Sequence, residues 1–314
     1  MYTKYFGFTE KPFEITPDPR FLFLSDHHKE ALAHLIYAAR EGKGLTMISG
    51  EVGTGKTLMG RSLLSRLDEK TKTIVLVNPN LTPLEFLHYI CEALGLKGEQ
   101  RTRGQYLAQL YAYLLAVNAR GEKVLLVIDE AQSLSPGLLE EIRLLTNLET
   151  EKTKLFLVVL LGQPELNDLL DRHEFRPLKQ RLSLRYHILP LNREEVGKYI
   201  EKRLAVVGVT PQSIFPSKAI KKIYEYSKGI PRVINIVCDN ALLTGFSLDQ
   251  KIIKEKIILE VIRKLEGPNR QTKKGKGRLL LLAGMAALLL GGLLIGWKLD
   301  AGDQLIEFFK KIFF

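Results

Sequence analysis

The sequence predicts an α/β protein. It expects a parallel five-stranded sheet flanked by helices, then a small all-helical unit, then a transmembrane helix near the C-terminus. Three observations carry this. Short runs rich in Val, Ile and Leu alternate with longer amphipathic segments up to about residue 191. After Asn192 only helical periodicity continues. Leu279 to Trp297 carries no charged side chain at all.

Taken in order, strands are expected at Leu45–Ser49, Thr73–Val77, Val124–Ile128, Leu155–Leu161 and Tyr186–Leu189. Continuous apolar runs of this length fit strands buried on both faces, as a helix-covered parallel sheet requires. These lie in a first domain, 1–191, with an N-terminal strap before the first strand. Helices are expected at Glu194–Val206, Ser217–Ser227, Arg232–Gly245 and Lys251–Leu265, forming a second domain, 192–266. Residues 267–278 read as a basic flexible linker of Gly, Pro, Asn, Gln and Lys. As a helix, 279–297 would be about 28 Å long, close to the hydrocarbon thickness of a bilayer. Gly292 and Gly296 in it form a GxxxG pair that could bring two such helices together. Lys273, Lys274, Lys276 and Arg278 precede it, so the positive-inside tendency places the N-terminal part in the cytoplasm. Residues 298–314 form a short amphipathic tail, with Leu305, Ile306, Phe308, Phe309, Ile312 and Phe313 on a helical stripe.

The 314 residues include 46% hydrophobic and 26% charged side chains, which argues against a disordered chain. Cys91 and Cys238 are the only cysteines, too few for a disulfide framework or a four-sulfur zinc site. The opening residues lack the apolar stretch of a signal peptide. A net charge of +11 permits nucleic acid, an anionic membrane surface or a polyphosphate ligand without choosing among them. His27, His28, His34, His88, His173 and His187 show no metal-ligand spacing, so surface or core roles are expected of them.

The chemistry begins at Gly50-Glu51-Val52-Gly53-Thr54-Gly55-Lys56-Thr57, followed by Leu58. This is the G-x-x-x-x-G-K-[ST] pattern between a strand and a helix. Its glycines let backbone N–H groups close around phosphates, and the helix N-terminus adds a favourable field. Lys56 can reach the outer phosphates of ATP, and the Thr57 hydroxyl can ligate Mg²⁺. Asp129 and Glu130 end the strand at Val124–Ile128. Asp129 is placed to hold the metal and Glu130 to polarise water. Asn78 either hydrogen-bonds Glu130 or caps the turn before Pro79.

Tyr5–Phe8, Lys11–Phe13, Thr16–Phe21, Gly50–Thr57, Val127–Gln132, Leu139–Thr150, Gly162–Leu166, Gln180–Arg181 and Gly229–Asn235 carry a resemblance. Through them the chain resembles the general secretion pathway protein A family of AAA+ ATPases. The resemblance spans about residues 1–265. It implies a helical lid after the sheet, a homo-oligomer with a hexameric ring as family default, and an inner-membrane partner of the general secretion pathway B type. It assigns Gln163 to sensing the γ-phosphate, Arg232 to contacting it from the lid, and Arg176 or Arg181 to reaching a neighbouring subunit, with Arg181 preferred beside Arg172 and Arg185. Ile15, Thr16 and Pro17 would border the adenine or pack the strap on the sheet. Fuller relatives carry a peptidoglycan-binding region beyond the membrane that 298–314 cannot match. The expected function is a membrane-anchored ATPase, in the bacterial inner membrane with its ATPase domain cytoplasmic, serving secretion or envelope export. A nucleic-acid-dependent regulator of the transposition-ATPase type and an ATP-gated membrane scaffold are the alternatives. The membrane span and the missing N-terminal DNA-binding domain count against the first of these.

Overall fold

The computed structural model describes residues 1–15, 18–96, 98, 102–209, 214–267 and 311–312. The chain divides into two compact units, Met1–Leu259 and Glu260–Phe314. The expected membrane span, its basic cluster and almost all of the tail lie outside the described residues. Among the described residues no helix is long and apolar enough to cross a membrane.

In the first unit, β1 (Leu45–Gly50), β2 (Thr71–Leu76), β3 (Lys123–Ile128), β4 (Phe156–Gly162) and β5 (Leu182–Ile188) form one sheet. Its order is β2-β3-β4-β1-β5, and every pairing is parallel. β1, β3 and β4 lie inside the sheet, so side chains of both parities meet helices, and all three are buried almost throughout. On one face Val124, Leu126, Ile128, Phe156, Val158 and Leu160 pack on Phe86, Leu87 and Ile90 of α4 (Pro83–Ala93), Leu110 and Leu114 of α5 (Arg103–Ala119), and Ile142 of α6 (Pro136–Leu145). On the other, Leu125, Val127, Val159 and Leu161 pack on Leu32 and Leu35 of α2 (Asp26–Glu41) and Met59 and Leu63 of α3 (Lys56–Leu64). Each such apolar side chain contributes about 1.5–3 kcal/mol by leaving water. The preceding α1 (Tyr2–Phe6) docks on α11 (Pro231–Ser247), with Tyr5 Oη donating to Asp249 just beyond it (2.9 Å).

Most expected boundaries hold within two residues, and two shift by four. β5 begins four residues before the predicted Tyr186. It is an edge strand with only one well-covered face, so Leu182-Ser-Leu-Arg-Tyr-His-Ile alternates half-buried and exposed residues instead of running apolar. The last helix begins at Glu255 instead of Lys251. Asp249 takes a left-handed φ of 53°, and the Ile253 N–H turns away to donate to the Ile214 carbonyl (2.8 Å).

Between α6 and β5 lie the short helices α7 (Glu165–Leu170) and α8 (Arg176–Lys179). After β5 the chain is helical: α9 (Arg193–Val206), α10 (Ser217–Ser227), α11 (Pro231–Ser247) and α12 (Glu255–Glu266). Asn192 starts α9 with a reciprocal cap: its side chain accepts from the Glu195 N–H, and Glu195 accepts from the Asn192 N–H. α10 stops at Lys228 and Gly229, both at positive φ, and Pro231 opens α11 where its missing N–H costs nothing. In the second unit, the described end of α12 carries the Glu260–Lys264 ion pair (2.7 Å).

Candidate nucleotide site

The site lies at the carboxyl ends of the parallel strands, where β1, β3 and β4 each release a functional loop. A cavity of about 390 Å³ opens there, within the range of ordinary ligand pockets.

After β1, residues 51–55 wrap into the start of α3. Gly53 (φ 83°) and Gly55 (φ 103°) hold backbone that other residues rarely adopt. A Cβ on Gly53 would lie 2.5 Å from the Cβ of Arg232. The loop is therefore shaped by its glycines and pressed against α11, where the Arg232 N–H donates to the Gly53 carbonyl (3.3 Å). Lys56 is buried and its Nζ donates to the carbonyls of Gly50 (2.8 Å) and Glu51 (3.0 Å), curling the loop around its own cation. Burial pushes the Lys56 ammonium pKa down, while Glu130 and Asp129 oppose that shift. The Thr57 hydroxyl donates to Asp129 Oδ2 (2.6 Å), joining the start of α3 to the tip of β3.

Glu130 follows with a left-handed φ of 54°. Such a conformation costs on the order of 1–3 kcal/mol for a residue with a side chain and concentrates at functional sites. The Glu130 N–H donates to Asp129 Oδ1 (2.9 Å). Glu130 Oε2 accepts from Gln132 Nε2 (2.6 Å) and Gln163 Nε2 (3.2 Å). Of the two readings of Asn78, the hydrogen bond to Glu130 is not made: Asn78 is exposed, and amides from other loops occupy that carboxylate.

Lys56, Thr57, Glu130, Gln163 and Arg232 all line the one cavity, with Asp129 bonded to Thr57 at its floor. Ile15 also lines it; Thr16 and Pro17 lie outside the described residues. Arg181 does not line it. It precedes β5, at the end of the sheet where β1 begins, about 20 Å along the strands from Gly50. Arg172 and Arg176 are exposed, and Arg185 donates to Asn167 Oδ1 (2.5 Å).

The sequence reading passed over three residues that the structure brings to this site. His28 is buried: its Nε2 meets the Thr54 carbonyl (2.9 Å) and its Nδ1 meets Ser25 Oγ (2.6 Å). A carbonyl only accepts, so Nε2 carries the proton and Nδ1 accepts from the Ser25 hydroxyl. Burial pushes its pKa down. Arg203 is buried at the cavity edge and grips the strap, donating to the carbonyls of Pro12 (2.5 Å) and Glu14 (3.0 Å) and to Tyr199 Oη (2.7 Å). Gln132 is the third; it lay within the run Val127–Gln132 without a role. Neither His28 nor Arg203 sits in any local pattern that could have announced it.

A strand–loop–helix cradle with a buried lysine, a hydroxyl–carboxylate pair and a glutamate at the β3 tip has the layout of a phosphate-binding P-loop site. Residues 39–170 match the AAA domain family. The chain is a relative of general secretion pathway protein A of Aeromonas hydrophila, 42% identical over 300 residues, which is 95% of this chain and 54% of that protein. It thus spans about half the length of that relative. Among solved structures, the Aeropyrum pernix ORC2 protein matches with a TM-score of 0.59 at 18% identity, over 81% of this chain and 72% of that one. Drosophila ORC bound to DNA matches with a TM-score of 0.62 at 17% identity, over 82% and 64%. Likeness at such identity concerns the fold alone.

Proposed function

We propose that this chain binds Mg-ATP and hydrolyses it, as a membrane-tethered ATPase assisting secretion or envelope export. The observation carrying the catalytic part is the meeting of Lys56, the Thr57–Asp129 pair, Glu130 and Gln163 around one cavity. The loop N–H groups, the start of α3 and Lys56 hold the phosphates. Thr57 and Asp129 offer only hard oxygen donors, one hydroxyl and one carboxylate, which suits Mg²⁺ completed by phosphate oxygens and water. Bound there, the metal would neutralise charge on the outer phosphates. Glu130 acts as general base on water, and Gln163 orients that water. Arg232, fixed against Gly53, reaches the outer phosphate from the helices after β5, which serve as a lid.

The secretion reading rests on the 42% identity to general secretion pathway protein A. The tether is residues 279–297, with the ATPase domain on the cytoplasmic side of the inner membrane, assembled as a homo-oligomeric ring and coupled to a partner of the general secretion pathway B type.

The test is turnover by purified chain and two variants. Lys56→Ala should lose tight Mg-ATP binding. Glu130→Gln should bind Mg-ATP yet turn over about 10²–10⁴-fold more slowly. Unchanged turnover in Glu130→Gln would sink the catalytic reading. Liposome and double-stranded DNA arms separate the contexts: stimulation by DNA alone would favour a nucleic-acid-dependent regulator. Carbonate extraction into the soluble fraction would refute the span, and digestion of the ATPase domain in intact spheroplasts would refute its orientation.

A further inference from the structure

Gln132 stands between two groups to which the hydrolysis reading gives work. Its Nε2 donates to Glu130 Oε2 (2.6 Å), and its Oε1 accepts from the Gln163 N–H (3.0 Å). A carboxylate only accepts and a backbone N–H only donates, so the two partners fix the amide orientation between them. The tip of β4 is shaped to admit it: a Cβ on Gly162 would lie 3.3 Å from Gln132 Oε1 and 2.7 Å from a Leu166 methyl. Gln163 closes the ring, since its own Nε2 reaches the same Glu130 oxygen (3.2 Å). Both donors fall on Oε2, and among the described residues no hydrogen bond engages Oε1.

We infer that Gln132 is a positioning residue. Its amide braces the β3 tip against the β4 tip, holding Glu130 by one oxygen so that the other is presented to water, in register with Gln163. This rests on the proposal that Glu130 acts as the base. Glu130 leaves β3 in a left-handed conformation and has no strand partner to steady it, so its rotamer depends on such a brace. Among the described residues Gln132 makes its side-chain hydrogen bonds to Glu130 and Gln163 and none to the phosphate loop, so its loss should spare nucleotide binding while misplacing the base.

The experiment measures kcat for Mg-ATP hydrolysis and, separately, the Kd of a fluorescent ATP analogue. It uses the full chain and the variants Gln132→Met, Gln132→Ala and Gln132→Glu, with urea midpoints for each. Methionine keeps the length and volume while removing both hydrogen bonds. The Met and Ala variants should lose about 10- to 100-fold in kcat, the scale of an ångström-level misplacement. Their Kd should stay within about threefold, and their midpoints should fall only by the small amount that two lost hydrogen bonds imply. Gln132→Glu, which sets a carboxylate against Glu130, should fall further still in kcat. A Met variant with kcat within twofold of the unmodified chain overturns the brace. So does a parallel loss of kcat, Kd and midpoint across the variants, which would make Gln132 merely structural. Turnover that survives Glu130→Gln overturns the base assignment first, and is told apart because it appears with Gln132 intact.

Discussion

Replacing Gly229 by alanine tests how the helices after β5 hold the phosphate loop. Gly229 has φ 79°, and a Cβ there would lie 1.8 Å from the Leu191 carbonyl oxygen and 2.8 Å from its carbon. Both are backbone atoms that cannot rotate away. Real Cβ contacts stop near 3.0 Å, so the two segments must separate by more than an ångström. That breaks the bond from the Leu191 N–H to the Gly229 carbonyl (2.9 Å), worth about 1 kcal/mol. Overpacking adds about 1–3 kcal/mol, and the left-handed backbone adds about 1–2 kcal/mol for an L-residue. Stiffening the unfolded chain returns about 0.4–1 kcal/mol. The net loss is about 2–6 kcal/mol, a large part of a typical domain's stability. Gly95 supplies the control: its φ is 72°, and nothing lies within 4 Å of its would-be Cβ. Gly95→Ala should cost only about 1 kcal/mol, the backbone contribution alone. Urea unfolding of both variants, with equal m-values, measures the difference. Because Pro231 and Arg232 follow directly, Gly229→Ala should also weaken Mg-ATP binding. A Gly229→Ala variant as stable as Gly95→Ala would refute the close-approach argument.

Two further predictions concern charge. Unfolded His28 takes a proton near pH 6.5, whereas burial makes folded His28 resist it. Its neutral form therefore contributes stability that is complete above about pH 6.5 and is lost as pH falls below it. Glu195 opposes the shift and His27 reinforces it. His28→Gln should lose less stability than the unmodified chain between pH 7 and 5.5 in urea titrations, and equal losses would contradict the assignment. If Arg181 serves a neighbouring copy, mixing Lys56→Ala with Arg181→Ala subunits should restore ATPase activity that neither has alone. A failure to complement at concentrations where the chains associate would count against Arg181.

The phosphate loop and the acidic pair were legible because each is a short run whose chemistry depends on neighbours in sequence. Lys56 and Thr57 open a helix, and Asp129 and Glu130 end a strand, whatever the rest of the fold does. The central strands were equally plain, since burial on both faces leaves a continuous apolar run such as Val124–Ile128. β5 was read short because an edge strand alternates and mixes Ser183, Arg185 and His187 into its pattern. His28 was illegible for a different reason. Its role comes from a bond to Thr54, 26 residues away, and from being folded beneath the loop; neither leaves a mark on the residues around it. Arg203 reaches 191 residues back to Pro12, so only the assembled strap gives it meaning.

The parallel sheet itself constrains how the arginines can be used. With every strand running the same way, all strand tips converge on one rim, and all strand starts on the other. Gly50, Asp129 and Gln163 each follow or end a strand and share the first rim. Arg181 immediately precedes β5, which runs beside β1 from Leu182 opposite Leu45 to Ile188 opposite Gly50. No rotamer of an arginine spans the length of that strand. If Arg181 meets a nucleotide, the nucleotide is held by another chain, and its geometry then requires one copy's strand starts to face the next copy's strand tips. That contact can close as an isologous two-fold pair, each copy's Arg181 facing the other's rim, or repeat head-to-tail into a closed ring or an open filament. Arg232 differs in kind: it is tied through its own backbone to Gly53 and lines its own chain's cavity. The two arginines thus differ by position: Arg232 lines its own chain's cavity, and Arg181 lies a strand's length away from it.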